Sequence, residues 1–346
     1  MRSASLILTP AGLPWDDARE SDPSDGSWSA QQLIVHARQH PPKPIIKGMI
    51  NEGDILLLHG SEESFKSVFV LQMAESVATA TPLLMKWKVP EPWRVGVIET
   101  EIHEVMLGER LSNMFPNGNP PKNLFFRGES ALRGWRRLGL RQKFESIQKW
   151  IEQLRIDVLM IDTANDFFRG ADNPSEERTV GGFFDELRNL KVGARVIVRH
   201  DRKKQAELDS YLNTNERIRG SGEWKEDPEV ILSLDRVDRR TNQVNFEVGK
   251  LRYGRKPEPL NLWFDAKTFR LTPLPPVVQV LFEKDSSRGK VISDCHTRFG
   301  LSTKTVDNML AEQKKYLTEK QSGHEKVFGI DLDVAVDAPW IDFILV

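Results

Sequence analysis

The chain has 346 residues, 39% of them hydrophobic and 29% charged, which is long enough for one large or two moderate domains around a substantial core. A formal net charge of −1 excludes a global basic field, so any nucleic-acid surface must be a local patch. Cys295 is the only cysteine, which excludes an internal disulfide and a multi-cysteine zinc site and suits a reducing cytoplasm. No apolar run approaches the roughly 18 residues of a membrane helix, and Met1 to Leu13 carries too short an apolar stretch for a signal sequence, so a cytoplasmic protein with no membrane partner is expected.

Residues 1–27, rich in Ser, Asp, Pro and Gly, read as a flexible segment. Trp28 to His40 reads as a short helix capped by Ser27 or Ser29 and stopped by Pro41-Pro42-Lys43-Pro44. Strand-like apolar runs then alternate with helical segments. The expected strands are Ile55–His59, Val95–Glu99, Leu124–Arg127, Val158–Asp162 and Val196–His200; the expected helices are Lys66–Ala80, Val105–Met114, Arg141–Leu154 and Glu176–Leu190. This βαβ alternation predicts an α/β fold with a mostly parallel twisted sheet flanked by helices. Val230–Leu234, Val244–Val248 and Leu260–Phe264 are shorter runs between turn residues and predict an antiparallel extension of that sheet. A first domain is thus expected over residues 28–272. After the linker Leu274-Pro275-Pro276 come three helix candidates, Val277–Lys284, Arg288–Phe299 and Thr303–Lys315, and a hairpin, Tyr316–Gln321 with Glu325–Ile330. That texture suits a winged helix over residues 277–330, followed by an acidic and apolar tail, 331–346.

Gly60-Ser61-Glu62-Glu63-Ser64-Phe65-Lys66-Ser67 follows the first buried strand and opens the first helix. Backbone N–H groups at such a strand–loop–helix junction, with a lysine as point charge, cradle phosphates. In this reading all eight residues line a nucleotide, Lys66 reaches the β/γ-phosphates, and the Ser67 hydroxyl ligates Mg²⁺. Phe65 stands where the motif G-x-x-x-x-G-K-S has glycine, and an L-residue fits there if the backbone is right-handed helical. A surface βα loop with a chance Lys-Ser is the alternative. Val158-Leu-Met-Ile-Asp162 is a buried strand ending in an acid that would hold Mg²⁺ through water at the carboxyl end of the sheet. Thr163, not a glutamate, follows it. Val95-Gly-Val-Ile98-Glu99-Thr100-Glu101 brings two further carboxylates to a strand end, and period-2 spacing does not choose between Glu99 and Glu101 as the base that activates water. Arg199 or His200, ending a fourth strand, is placed to sense the γ-phosphate.

The order of these elements resembles the RecA-type ATPases, and more narrowly the plasmid RepA and replicative DnaB helicase branch, the RepA-like AAA ATPases. Pro44–Gly53 is similar to the lead-in of that branch, Glu109-Arg110 to an acid–arginine pair on its next helix, and Arg199-His200-Asp201-Arg202-Lys203 to its His-His-x-x-Lys element. Arg219-Gly220-Ser221-Gly222 and Lys250-Leu251-Arg252-Tyr253-Gly254 also have counterparts. The resemblance covers residues 44 to 265. It implies that ATP and Mg²⁺ are the cofactors and that Glu101 is the catalytic carboxylate. It also implies that Lys250 and Arg252 act on a neighbouring subunit's ATP in a ring, hexameric in that branch.

In such rings the loop after the fourth strand lines the channel. Here that loop carries Arg202, Lys203, Lys204, Arg217 and Arg219 with Tyr211, a composition suited to single-stranded DNA. Its acids, Asp201, Glu207, Asp209 and Glu216, leave a solvated surface loop equally open. Arg133, Arg136, Arg137, Arg141 and Lys143 around Trp135 read as a DNA or subunit contact or as a charged outer helix face. Residues 286–326 hold eight Lys or Arg against five Asp or Glu, which suits DNA or protein binding by the helix starting at Ser302. The stretch from Trp340 to Val346 reads as a docking site for a replication protein or as a strand packed on its own domain. The expected function is an ATP-hydrolysing, DNA-associated oligomeric motor, helicase-like, of a plasmid, phage or mobile element. An ATP-gated DNA-binding regulator or scaffold with slow or no hydrolysis is the alternative, and a KaiC-like signalling ATPase a third.

Overall fold

The computed structural model describes residues 27–168, 177–201, 218, 222–237, 242–322, 325–335, 338 and 340. Residues up to Lys43 form one unit, and Pro44 onward another. In the first unit α1 (Ala30–Gln39) starts at Ser29, whose hydroxyl accepts from Gln32 N while Gln32 Oε1 accepts from Ser29 N, a capping box.

In the second unit, β1 (Pro44–Ile46) and β2 (Ile50–Asn51) form a small hairpin ahead of β3 (Ile55–Gly60), α2 (Lys66–Thr79), β4 (Val95–Glu99), α3 (Glu104–Met114), β5 (Leu124–Arg127), α4 (Leu140–Leu154), β6 (Val158–Asp162), α5 (Glu177–Asn189) and β7 (Ala194–His200). Then come α6 (Glu223–Glu226), β8 (Val230–Arg236), β9 (Gln243–Leu251), β10 (Leu260–Asp265) and β11 (Arg270–Thr272). Among the described residues these build one sheet in the order β11-β10-β9-β8-β3-β7-β6-β4-β5. Every pair from β8 to β5 is parallel, and β8 to β11 run antiparallel.

The central strands are apolar on both sides because both faces are covered, as parallel sheets require. Leu56, Leu58, Val97, Met160, Val196 and Val198 pack with α2 in one core. Ile55, Leu57, Ile98, Leu159, Ile161 and Ile197 pack with α4 and α5 in another. This one-residue alternation decides which strand-end side chains face α2.

Beyond β11, α7 (Pro276–Glu283), β12 (Ser286–Ser287), α8 (Arg288–Phe299), α9 (Thr303–Gln313), β13 (Leu317–Ser322) and β14 (Glu325–Ile330) surround a third core. Trp263 of β10 belongs to that core. Beside it the fully buried Asp265 accepts two hydrogen bonds from Arg298 of α8, at 3.1 and 2.7 Å, and further bonds from Thr268 and Gln279. Glu283 of α7 accepts from the same guanidinium at 2.8 Å. Ala335, Ala338 and Trp340 are buried in this core too, with the Trp340 Nε1 donating to Gln313 at 2.7 Å. Trp340 therefore packs on its own domain; residues 341–346 lie outside the described residues.

Removing one partner of a buried ion pair leaves an uncompensated charge, at a cost of about 3–5 kcal/mol. Arg298→Ala is expected to lower the free energy of unfolding by that amount, read from urea denaturation. The substitution of an exposed arginine such as Arg141, 3.3 Å from Glu145, is expected to change it by under about 1 kcal/mol.

Candidate functional site

The parallel register pairs the strand ends two by two: Gly60 of β3 lies opposite His200 of β7, and Glu99 of β4 opposite Asp162 of β6, with β3 and β7 running two residues farther than β4 and β6. The loop after Gly60 runs into α2 across this edge. Gly60 has no alternative there, because a Cβ would collide with the Leu234 carbonyl oxygen.

Phe65 corrects an expectation. It is not right-handed but left-handed, at φ 63° and ψ 24°, and Glu63 is also at positive φ. For a side chain with a Cβ this conformation costs about 1–2 kcal/mol. The Phe65 ring stacks on Phe264 of β10, with centroids 4.5 Å apart and planes 20° from parallel. The Arg236 guanidinium lies 5.2 Å from the same ring and 3.8 Å from the Glu63 carboxylate.

Lys66 is the first residue of α2 and only 4% exposed. Its ammonium folds back over the loop, donating to Gly60 O at 3.0 Å, Ser61 O at 2.5 Å and Ser64 Oγ at 3.3 Å. Burial lowers its pKa, and Asp162 and Asp201 oppose that shift. Asp162, 2% exposed, has its pKa pushed up to about 6 by burial, and the Ser67 hydroxyl beside it offsets part of the effect. Neither carboxylate oxygen of Asp162 has a hydrogen-bond partner of good geometry. Two buried acid oxygens left open next to a serine hydroxyl at the head of α2 are a donor set that suits Mg²⁺, a hard cation bound through few protein oxygens and several waters.

The two glutamates of the β4 end take different environments. Glu99 is 2% exposed, accepts from the backbone of Glu101 and Ile102, and has its pKa raised to about 8, first by burial and then by Asp162. Glu101 lies past the strand end and accepts from Thr163 Oγ1 at 3.4 Å, with His200 Nε2 at 2.9 Å. The His200 contact, its largest influence, holds its pKa below the usual carboxylate value. Glu101, not Glu99, therefore stays ionised and faces the loop.

Arg199 ends the same strand but on the other face of the sheet. Odd-numbered residues of β7 face α5, and the Arg199 guanidinium lies 3.9 Å from the Trp224 ring centroid. The Arg199 guanidinium therefore lies on the face of the second core, and His200 on the face of Lys66.

A cavity of about 550 Å³ opens beside the loop. Ser64, Lys66, Ser67, Glu101 and His200 line it together with Phe264, Phe269 and Met106, Glu109, Arg110 and Asn113 of α3, with the Arg110 guanidinium 5.6 Å from the Phe269 ring centroid. Sequence reasoning missed Arg236, Phe264 and Phe269. The aromatic pair sits in the β10–β11 hairpin about 200 residues after the loop, and no local pattern links the two.

Lys250 and Arg252 lie elsewhere. Lys250 Nζ donates to the carbonyls of Lys225 and Glu226, and Arg252 donates to Glu226 O and pairs with Glu229 at 3.2 Å. Glu229 also accepts from the amide of Ile55, the first residue of β3. The pair is thus at the amino end of the strand whose carboxyl end carries the loop, about 17 Å along it. Arg202, Lys203, Lys204, Arg217 and Arg219 lie outside the described residues.

The arginine-rich stretch near Trp135 is dispersed. Lys143 is buried and donates to Phe167 O at 2.6 Å, Arg127 bonds Ser146, and Arg133 and Arg137 line a separate cavity of about 610 Å³ with Thr100 and Asp166.

A profile of the family described as AAA domain matches residues 18–207. Among solved structures, the chain is similar to a DnaB-like replicative helicase studied with primase, at 13% identity and a TM-score of 0.51 over 74% of this chain and 69% of that one. The KaiC-like protein PH0186 of Pyrococcus horikoshii gives 12% identity and TM-score 0.48 over 67% and 94%. The RadB recombinase gives 14% identity and TM-score 0.43 over 65% and 92%. No curated protein matches the sequence significantly. The first of these likenesses identifies the fold as RecA-like.

The Glu99 shift sets a sign for stability. Its folded pKa, about 8, lies above its ordinary 4.5, so its contribution is present below 4.5 and is lost as pH rises toward about 8. Glu99→Gln removes the titration. The urea midpoint of the metal-free variant is expected to fall less between about pH 5 and pH 8 than that of the unaltered protein.

Proposed function

The chain belongs to the AAA domain family, and from that premise we propose that it is an ATP-hydrolysing, DNA-associated ring motor of the replicative-helicase type, working in the cytoplasm. One observation carries this reading: Lys66, Ser67, Asp162, Glu101 and His200 meet at one carboxyl edge of a parallel sheet, on one face. The loop Gly60–Ser67 supplies backbone N–H groups to the phosphates of ATP, and Lys66 leaves its carbonyl partners to meet the β/γ-phosphates. Ser67 and Asp162 would hold Mg²⁺, which would supply positive charge against the phosphates. Glu101, kept ionised by His200, orients the attacking water and accepts its proton. His200 ends the strand that leads directly into residues 202–217, so the contact of 2.9 Å between His200 and Glu101 ties the base to the basic segment proposed to follow single-stranded DNA.

Lys250 and Arg252 serve the site of the neighbouring subunit in a hexameric ring, where their charge stabilises the γ-phosphoryl in transfer. Their place at the opposite strand end supports this, since within one chain they do not reach the loop. The three helices and hairpin after residue 276 read as a winged helix, with Ser302 capping α9 through the amide of Thr305, and the segment beyond Trp340 as a contact for a replication partner.

A second reading, an ATP-gated DNA-binding regulator with slow hydrolysis, draws support from the left-handed Phe65 in the phosphate loop. Steady-state ATP hydrolysis with and without single-stranded DNA separates the two: stimulation supports the motor, and binding without turnover supports the regulator. Lys66→Ala is expected to abolish both MgADP binding and hydrolysis. Glu101→Gln is expected to keep binding while turnover falls about 10²–10⁴-fold. Arg252→Ala is expected to bind MgADP normally and to lose turnover by about 10³-fold in the assembled form; unchanged turnover there would remove the trans role.

A further inference from the structure

A phenylalanine at the phosphate-loop position that adjoins Lys66 sits in a backbone region that glycine enters freely. Something must hold it there, because the Lys66 amide and side chain take their direction from this residue. The Phe65 ring packs at the margin of the first core and meets two residues of distant strands: the stacked Phe264 ring at 4.5 Å and the Arg236 guanidinium at 5.2 Å.

Phe264 is itself immobilised from three sides. Phe269 meets it edge to face at 5.3 Å and 89°. Its register partner Leu271 is tied to α2 by Gln72, whose side-chain amide donates to Leu271 O at 3.0 Å and accepts from Leu271 N at 2.9 Å. Behind it, Trp263 and Asp265 point the other way into the C-terminal core, with Asp265 held by Arg298. The β10–β11 hairpin is thus a fixed wall braced against the same helix that Lys66 begins.

We propose that Phe264 is a positioning residue for nucleotide binding, holding Phe65 in the left-handed conformation that glycine would adopt unaided. This rests on the reading of Gly60–Ser67 as a nucleotide loop. The wall replaces backbone freedom with side-chain packing: the loop is preshaped by a strand about 200 residues away in the chain, not by its own sequence. Phe264 does not touch the phosphates; it acts through Phe65.

The dependence on residue 65 is the test, since a purely structural role for Phe264 would not care what stands there. MgADP binding is measured by titration calorimetry for the unaltered protein, Phe264→Ala, Phe65→Gly and the double variant. Phe264→Ala is expected to weaken binding about tenfold, Phe65→Gly to bind at least as tightly as the unaltered protein, and the double variant to stay within about twofold of Phe65→Gly. Phe264→Tyr, which keeps the stacked ring, is expected to bind normally. Should the alanine variant not fold, Phe264→Leu keeps hydrophobic volume without the ring and is expected to give the same pattern. An equal loss in both backgrounds, or none in either, would overturn the proposal. Undiminished MgADP binding by Lys66→Ala would instead overturn the nucleotide reading, whatever Phe264 does.

Discussion

Everything at this edge depends on the parallel register of β3, β7, β6 and β4. Parallel strands bring their carboxyl ends to the same edge of the sheet, and side chains one residue apart point to opposite faces. Gly60 is paired with His200 and Glu99 with Asp162, the first pair two residues beyond the second, with no long loop needed to reach the site. A slip of one residue in β7 would exchange His200 for Arg199, sending the imidazole into the second core and a guanidinium toward Lys66. The two apolar cores prevent this, because each strand carries one set of aliphatic residues for each face.

Burial then sorts the charges. Three acids and one lysine share a small volume, and desolvation acts on each in the direction that favours the neutral form. Glu99 and Asp162, the deeper two, are raised, whereas Glu101, at the rim with His200, is lowered. The carboxylate proposed to act on water is the one the surroundings keep ionised. Lys66 meanwhile satisfies its ammonium on loop oxygens, so it is not a buried cation without partners.

Much of this was legible in the chain itself. Continuous apolar runs marked β4, β5 and β6 to their ends, and the acids closing β4 and β6 pointed to the carboxyl edge of the sheet, where ligands bind in α/β folds. What could not be read locally was set by pairs far apart in sequence. The conformation of Phe65 depends on Phe264 and Arg236; the choice between Glu99 and Glu101 depends on where β4 stops and on His200; and the fate of Arg199 depends on Trp224. The short strands β1, β2, β11 and β12 also escaped notice, since two or three residues carry no periodicity to detect.

β10 has a consequence of another kind. Its residues alternate between two clients: Phe264 faces the phosphate loop, and Trp263 and Asp265 face the C-terminal core. The seam between the ATPase portion and the C-terminal portion therefore runs through the pleat of a single strand. A seam of that kind cannot be unzipped without disturbing both sides. The C-terminal part is accordingly anchored on the strand that also supplies the ring stacked on the loop, so the residues that hold it adjoin, in the chain, the residue that touches Phe65.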